Sequence, residues 1–275
     1  MKHNWHSLRI VPIESLHPVA LTTESAVREM AHYLTASGVQ KDPISVMRAD
    51  SGKLLILDGA ARHNSLKRIG ARDALIQLVD NGESFRLSSW RHIVNHLTVV
   101  ELRKIADRIG LNVFTSDETL RSAESSVSPD RVHFEFPGGV SCDVVLDRSN
   151  LDEFNDILCR LVKAYIANSP MVRYPKGLSS RRVPSWTDNG QTYVTLPDFD
   201  QAEVLQLSEK GKLLPPHILN CSFPGRFLGV RFPLGILSEN ASGEEKTEFL
   251  DELLRMRMMR SRSVFYPQSV VILGD

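Results

Sequence analysis

No excess of charge of either sign runs through this sequence: 33 Lys and Arg stand against 33 Asp and Glu, a formal net charge of zero. A protein whose general surface holds nucleic acid carries a basic surplus, because affinity for the phosphate backbone comes from neutralising it. That mode is excluded here, although a local basic patch stays open. Cysteine is also scarce. Cys142, Cys159 and Cys221 are odd in number and far apart, which excludes a disulfide framework and shows no zinc-type Cys/His spacing, and points to a reducing compartment. Long apolar runs are missing, so no segment reads as a membrane span. Met1 to Ile10 carries charges and histidines in place of the apolar core of a signal peptide. The expectation is a cytoplasmic protein without a membrane partner. No internal repeat is evident.

What is present begins with Leu54-Leu55-Ile56-Leu57-Asp58-Gly59-Ala60-Ala61-Arg62-His63-Asn64-Ser65-Leu66-Lys67-Arg68-Ile69-Gly70. Four consecutive aliphatic residues predict a buried strand. Asp58-Gly59 breaks it, since glycine permits a tight turn. From Ala60 the period changes: Leu66 and Ile69 share a helical face, and Gly70 is a stop signal. An acidic residue at a strand end, followed by a helix that opens with small residues and then Arg62, can hold a phosphate through backbone N–H groups and a guanidinium. The plainer reading is a strand–helix turn with Asp58 capping the helix.

Asp58-Gly59-x-x-Arg62, with Ser65-Leu66-Lys67 and Gly70, resembles the Asp-Gly-x-His-Arg signature of the ParB/sulfiredoxin fold, and more narrowly the free L-serine kinases of that fold, including those of siderophore (staphyloferrin B) biosynthesis. The similarity extends over Leu8 to Val79, Ser88-Ser89-Trp90-Arg91-His92, Leu214-Pro215-Pro216 to Leu237, and Val264-Phe265-Tyr266-Pro267, and is weak between about 110 and 195. The resemblance implies an α/β fold plus an α+β part: a ParB/sulfiredoxin-like nucleotide-binding domain over 1–112 and a smaller C-terminal α+β domain over 113–275 that completes the substrate pocket. It implies Asp58 as a catalytic residue near nucleotide phosphates, metal and transferred group. Gly59, Arg62, His63 and Ser65 would hold nucleotide or phosphate, and Trp90, His92, His217 and Asn220 the substrate. The cofactors implied are ATP or ADP with Mg²⁺, with no metal held by a dedicated protein site.

Three positions depart from that pattern. The glutamate that takes the substrate proton in the kinases, directly after Leu-His, is Pro18 here; Glu24, the nearest carboxylate, is with Asp58 the catalytic candidate to receive that proton, and its plainer role is an acid in a first helical turn. The histidine beside the motif Arg is Ala61, and His63, one residue beyond Arg62, points about 100° away on a helix. The substrate-binding Thr-Arg is Leu219-Asn220, and a neutral amide cannot form the bidentate charged pair of an arginine.

The rest of the chain reads simply. Leu8 to Ile13 is a strand stopped by Pro12. A helix runs from Glu24 to about Ala36 with Val27, Met30 and Leu34 inward and Gly38 at its end. Strands are expected at Pro43–Val46 and Ala74–Val79, and a helix over Val99–Ile109. Thr115–Asp130 is a linker. Val132–Phe136 and Val140–Leu146 form a hairpin, followed by helices over 151–167, 202–210 and 244–259 and a strand near Ser269–Leu273. Arg173 to Trp186, with Arg173, Lys176, Arg181 and Arg182, is an irregular basic segment, either a solvated loop, a lid over phosphate or a local nucleic-acid contact.

The function expected is a nucleotide-dependent kinase acting on the hydroxyl of a free, serine-like amino acid or related small metabolite, in a specialised biosynthetic pathway. The alternative is a catalytically degenerate ligand- or DNA-binding regulator of the same fold. A ParB-like CTP switch would need an extended basic helical region that the sequence does not supply.

Overall fold

The computed structural model describes residues 7–79, 85–115, 130–167, 169–175 and 190–259. Its elements in chain order are β1 (Leu8–Pro12), β2 (Leu16–Pro18), α1 (Glu24–Ser37), β3 (Val39–Gln40), β4 (Ile44–Arg48), β5 (Leu54–Asp58), α2 (Ala60–Arg68), β6 (Asp73–Leu78), β7 (Arg86–Ser89), β8 (Arg91–Asn95), α3 (Val99–Ile109), β9 (Val113–Thr115), β10 (Asp130–Glu135), β11 (Ser141–Leu146), α4 (Leu151–Ile166), β12 (Met171–Tyr174), β13 (Gln191–Thr195), α5 (Gln201–Glu209), β14 (Leu219–Ser222), β15 (Phe232–Pro233), α6 (Leu234–Ser238) and α7 (Gly243–Met259). The mixed α/β and α+β class expected from the sequence is the one found. The closing strand expected at Ser269–Leu273, the Val264–Pro267 match, Lys176, Arg181, Arg182 and most of the linker after Thr115 lie outside the described residues.

Two compact units divide the chain. One joins residues 1–86 to 221–275, and the other is the intervening 87–220. These divisions fall elsewhere than the boundary expected at 112. The reason is strand and helix partnership: β8 pairs with β12 and β13, and α3 packs on α4, so the segment from 87 to 112 is built into the second unit. The C-terminal helices belong to the first.

The first unit is organised on a five-stranded mixed sheet, in the order β1-β6-β4-β5-β2. β4 and β5 lie inside the sheet, and each buries four consecutive residues, which is why Leu54–Leu57 of β5 reads as an unbroken aliphatic run rather than an alternating one. β2 runs parallel to β5 and β4 parallel to β6, while β1–β6 and β4–β5 are antiparallel. Leu34 of α1, Leu66 of α2, Leu237 of α6 and Leu250 of α7 join Ile44, Ile56, Leu75 and Phe232 in one core cluster. Thr23 caps α1 by accepting from the Ala26 amide, and Gly38 closes it with a left-handed φ of 66°. Lys246 of α7 is 1% exposed, and its ammonium pairs with Asp73 and donates to the Glu239 carbonyl at 2.8 Å. That contact ties α7 to the start of β6.

The second unit carries a six-stranded sheet, β12-β8-β13-β10-β11-β9. The β10–β11 hairpin keeps Val132 opposite Val144 and Phe134 opposite Cys142. The apolar stripe of α4 is buried as well, through Phe154, Leu158, Leu161, Val162 and Tyr165. Phe134 meets Tyr165 edge to face with centroids 6.1 Å apart. Cys159 is buried in α4, as its position on an apolar face predicts. α3 is set by a reciprocal capping box, Thr98 with Glu101, and by Gly110 at its C-terminus.

Candidate functional site

In the first unit the strand β5 ends at Asp58 and α2 begins at Ala60, so the turn between them is Gly59 alone. Gly59 adopts φ 102°, and a Cβ there would stand 2.9 Å from Arg62 Nη1 and 3.3 Å from Ile44 Cγ1. Only glycine suits both the dihedral and the space. The N-cap position of α2 is Gly59, which brings no side chain to cap it. Asp58 forms an ion pair with Arg226, whose guanidinium also lies 5.6 Å from the centre of the Phe223 ring. Arg62 folds back over Gly59 and donates from Nη1 to the Pro43 carbonyl at 3.0 Å. That bond uses one of five guanidinium N–H groups. The start of α2 therefore carries unpaired amides by helix geometry, the half-buried Arg62, and the Asp58–Arg226 pair. Buried Cys221 is within electrostatic range of that pair, and burial pushes its thiol up to about 12.

Two other residues expected at the phosphate end turn inward. His63 is 3% exposed, with Nδ1 3.0 Å from Asn64 Oδ1 and Nε2 3.2 Å from the Ile13 carbonyl oxygen. Burial holds it below the usual histidine range. Ser65 is fully buried and its hydroxyl lies 2.7 Å from the carbonyls of both Val27 and Ala61. These side chains fix α2 against α1 and against the turn after β1; neither presents a group to a ligand. Asn64 takes part in the same network by donating to Thr22 Oγ1 at 2.9 Å. Glu24 stands in the first turn of α1, exposed and ion-paired to Arg68, which lowers its pKa. That makes it a poorer proton acceptor than a free carboxylate. Pro18 lies on β2.

In the second unit Trp90, His92, His217 and Asn220 fall within one neighbourhood. The Trp90 amide donates to the Ile218 carbonyl at 2.8 Å, and Asn220 Nδ2 donates to Ser88 Oγ at 3.2 Å. His92 is fully buried. Its Nε2 is 3.0 Å from the His217 carbonyl oxygen, which can only accept, so Nε2 carries the proton and Nδ1 accepts from Tyr165 Oη at 2.6 Å. With both nitrogens used and burial pulling its pKa down to about 4, His92 is a neutral structural post rather than the substrate-holding side chain expected from the sequence. The post sets its neighbour. His217 adopts φ 61°, an uncommon conformation for a non-glycine residue, and this turns its carbonyl toward His92. Burial and the nearby Arg173 hold the His217 imidazole at about 4.

Sequence reasoning did not single out Arg226, and it placed Arg173 in an irregular basic segment. Arg173 sits on β12, opposite His92 across the β8 ladder, with its guanidinium 5.6 Å from the Trp90 ring centre. Among the described residues no three His, Cys, Asp or Glu side chains are grouped to hold a metal, and no helix is long and apolar enough to cross a membrane.

Comparison with known proteins places the fold. No family model and no curated protein sequence matches the chain. Solved structures do. SbnI from Staphylococcus aureus, truncated at its C-terminus, superposes with a TM-score of 0.72 at 17% identity, over 94% of this chain and all of that one. A conserved hypothetical protein from Pyrococcus furiosus gives 0.67 at 16% identity, over 84% of this chain and 97% of that one. A free serine kinase in complex with AMP gives 0.64 at 15% identity, over 84% and 93%. The ParB/sulfiredoxin-like fold expected from the Asp58-Gly59-x-x-Arg62 stretch is thus the fold that this chain shares with SbnI and the free serine kinase.

Proposed function

We propose that the chain is a nucleotide-dependent phosphotransferase that phosphorylates the hydroxyl of a small, serine-like amino acid or related metabolite. The observation that carries this reading is the convergence of Arg62, Arg226 and Asp58 on the glycine turn at the start of α2. The fold shared with a free serine kinase solved in complex with AMP supports it, as does that shared with a free serine kinase mutant in complex with ADP. Phosphoryl transfer is mostly positioning and charge neutralisation. Helix amides and two guanidinium groups bind and orient a di- or triphosphate. ATP or ADP fits that donor set. The acceptor hydroxyl oxygen would bond to phosphorus as the bond from phosphorus to the departing nucleotide oxygen breaks, with the hydroxyl proton passing to Asp58. A weak base suffices when the transition state is loose. One protein carboxylate, Asp58, would match a Mg²⁺ ion carried mainly by nucleotide phosphates, and such an ion would supply charge neutralisation there. Trp90, His217 and Asn220 are proposed for the acceptor metabolite. The reading also carries the cytoplasmic, biosynthetic setting expected from the sequence.

The test is isothermal titration with ATP and with ADP, each with Mg²⁺, on the wild type and on Arg62→Ala, followed by ³¹P detection of product with L-serine, L-homoserine and L-threonine. Binding that Arg62→Ala abolishes, with phosphorylated product, is the expected result. Absence of binding by either nucleotide sinks the proposal.

A second reading has its own observation. Pro18 replaces a proton acceptor, and Glu24 is neutralised by Arg68. A degenerate relative would bind a nucleotide or other ligand without turning it over and serve as a ligand- or DNA-binding regulator. Tight nucleotide binding without product across the whole panel would favour it.

A further inference from the structure

Among the described residues, the Arg173 guanidinium has no counter-ion. Among the described residues its side chain forms no ion pair and no hydrogen bond, and the guanidinium lies over the face of Trp90 at 5.6 Å. Arg173 is exposed on β12; His92 lies across the ladder, fully buried and with both nitrogens used inside the unit, and His217 is close enough to feel its charge. A guanidinium laid on an indole keeps one edge of its planar donor fork open. Such a fork matches the geometry of a carboxylate, and the stacked ring fixes the plane in which that carboxylate must arrive.

We propose that Arg173, held by Trp90, is the carboxylate-binding residue of the second unit, and that its ligand is a small α-amino or α-hydroxy carboxylate. This deepens the phosphotransferase reading and rests on it only for the fate of the ligand. The polar groups in the same neighbourhood complete a recognition set for a short carboxylate. The Asn220 amide lies on Ser88, and the His217 imidazole is kept neutral by burial and by Arg173 itself, so it can hydrogen-bond a hydroxyl or amine. The charged anchor missing at Leu219-Asn220 is thereby supplied from a different strand. Specificity follows from the chemistry. An acid should bind, and its carboxamide, which cannot pair with a guanidinium, should not.

The experiment is direct binding without nucleotide, by calorimetry and tryptophan fluorescence, with L-serine, L-homoserine and D-glycerate, and with L-serinamide as the neutral probe. The wild type should bind at least one of the three acids and bind serinamide at least tenfold more weakly. Arg173→Ala should lose tenfold or more in affinity for that acid, and Arg173→Lys should recover part of it, with unchanged circular dichroism in both. Failure of all three acids to bind, equal binding of serinamide, or unaltered affinity in Arg173→Ala overturns the assignment. The nucleotide titration separates the two readings. Carboxylate binding that needs Arg173 in a protein that ignores ATP and ADP keeps this site and removes the kinase. Nucleotide binding with no Arg173-dependent carboxylate does the reverse.

Discussion

Asp58 and Arg226 are 168 residues apart in sequence and ion-paired within the first unit. Both side chains are about a third exposed, so the pair adds at most roughly 1 kcal/mol to stability. Its weight is in what each partner does when a phosphate arrives. A phosphate oxygen competes with the Asp58 carboxylate for the Arg226 guanidinium. Arg226→Ala should therefore weaken nucleotide binding at least tenfold while shifting the unfolding midpoint little. Titration beside a thermal melt reads both. A large stability loss with unchanged affinity would make Arg226 structural.

Ser65 behaves in the opposite way. Its buried hydroxyl sits between the Val27 and Ala61 carbonyls, which couples α1 to α2. Ser65→Ala removes a buried donor and should cost about 1 kcal/mol, seen as a lower urea midpoint, with nucleotide affinity unchanged. A loss of affinity beyond threefold would restore Ser65 to the ligand.

These two residues also show what the sequence could and could not reveal. Asp58, Gly59 and Arg62 were legible because a local turn carries their chemistry, and Val99–Ile109 because its period and caps agree. The Asp58–Arg226 pair was not, since nothing local links two residues so far apart. Ser65, His63 and His92 have the side chains of ligand-binding residues, yet each serves a buried backbone or hydroxyl partner. Residue type alone does not distinguish an outward donor from one used to satisfy the interior. β8 was hidden because Arg91, His92 and Asn95 interrupt its apolar character, and its burial depends on pairing with β12 and β13.

Lys246 gives a test of the first unit's construction. Its side chain is buried against Asp73 and the Glu239 carbonyl. Lys246→Met keeps the aliphatic stem but leaves a partly buried carboxylate and a carbonyl without their donor. The expected cost is about 3 kcal/mol, measured by denaturant unfolding. The double change with Asp73→Asn should recover part of it, because the stranded charge goes too. If the single variant is as stable as the wild type, α7 is held by its apolar contacts alone.

The two depressed histidines predict how stability responds to acid. His92 and His217 are each held at about 4 in the folded chain, against a usual value near 6.5 once unfolded. Between those values the unfolded chain binds the protons and the folded chain does not. Acid therefore favours unfolding: stability is full above about pH 6.5, declines as pH falls toward 4, and gains no further loss from these groups below that. His92 is fully buried and contributes about 3 kcal/mol across the window; His217 acts in the same direction. Urea midpoints taken from pH 7.5 to 4.5 should fall steeply in the wild type. In His92→Gln, where an amide can still reach the His217 carbonyl, the fall should be much shallower, though the variant starts less stable. An equal slope in the two proteins would mean that His92 is not held neutral by its burial, and that the Tyr165–His92–His217 chain is not the post that shapes this part of the second unit.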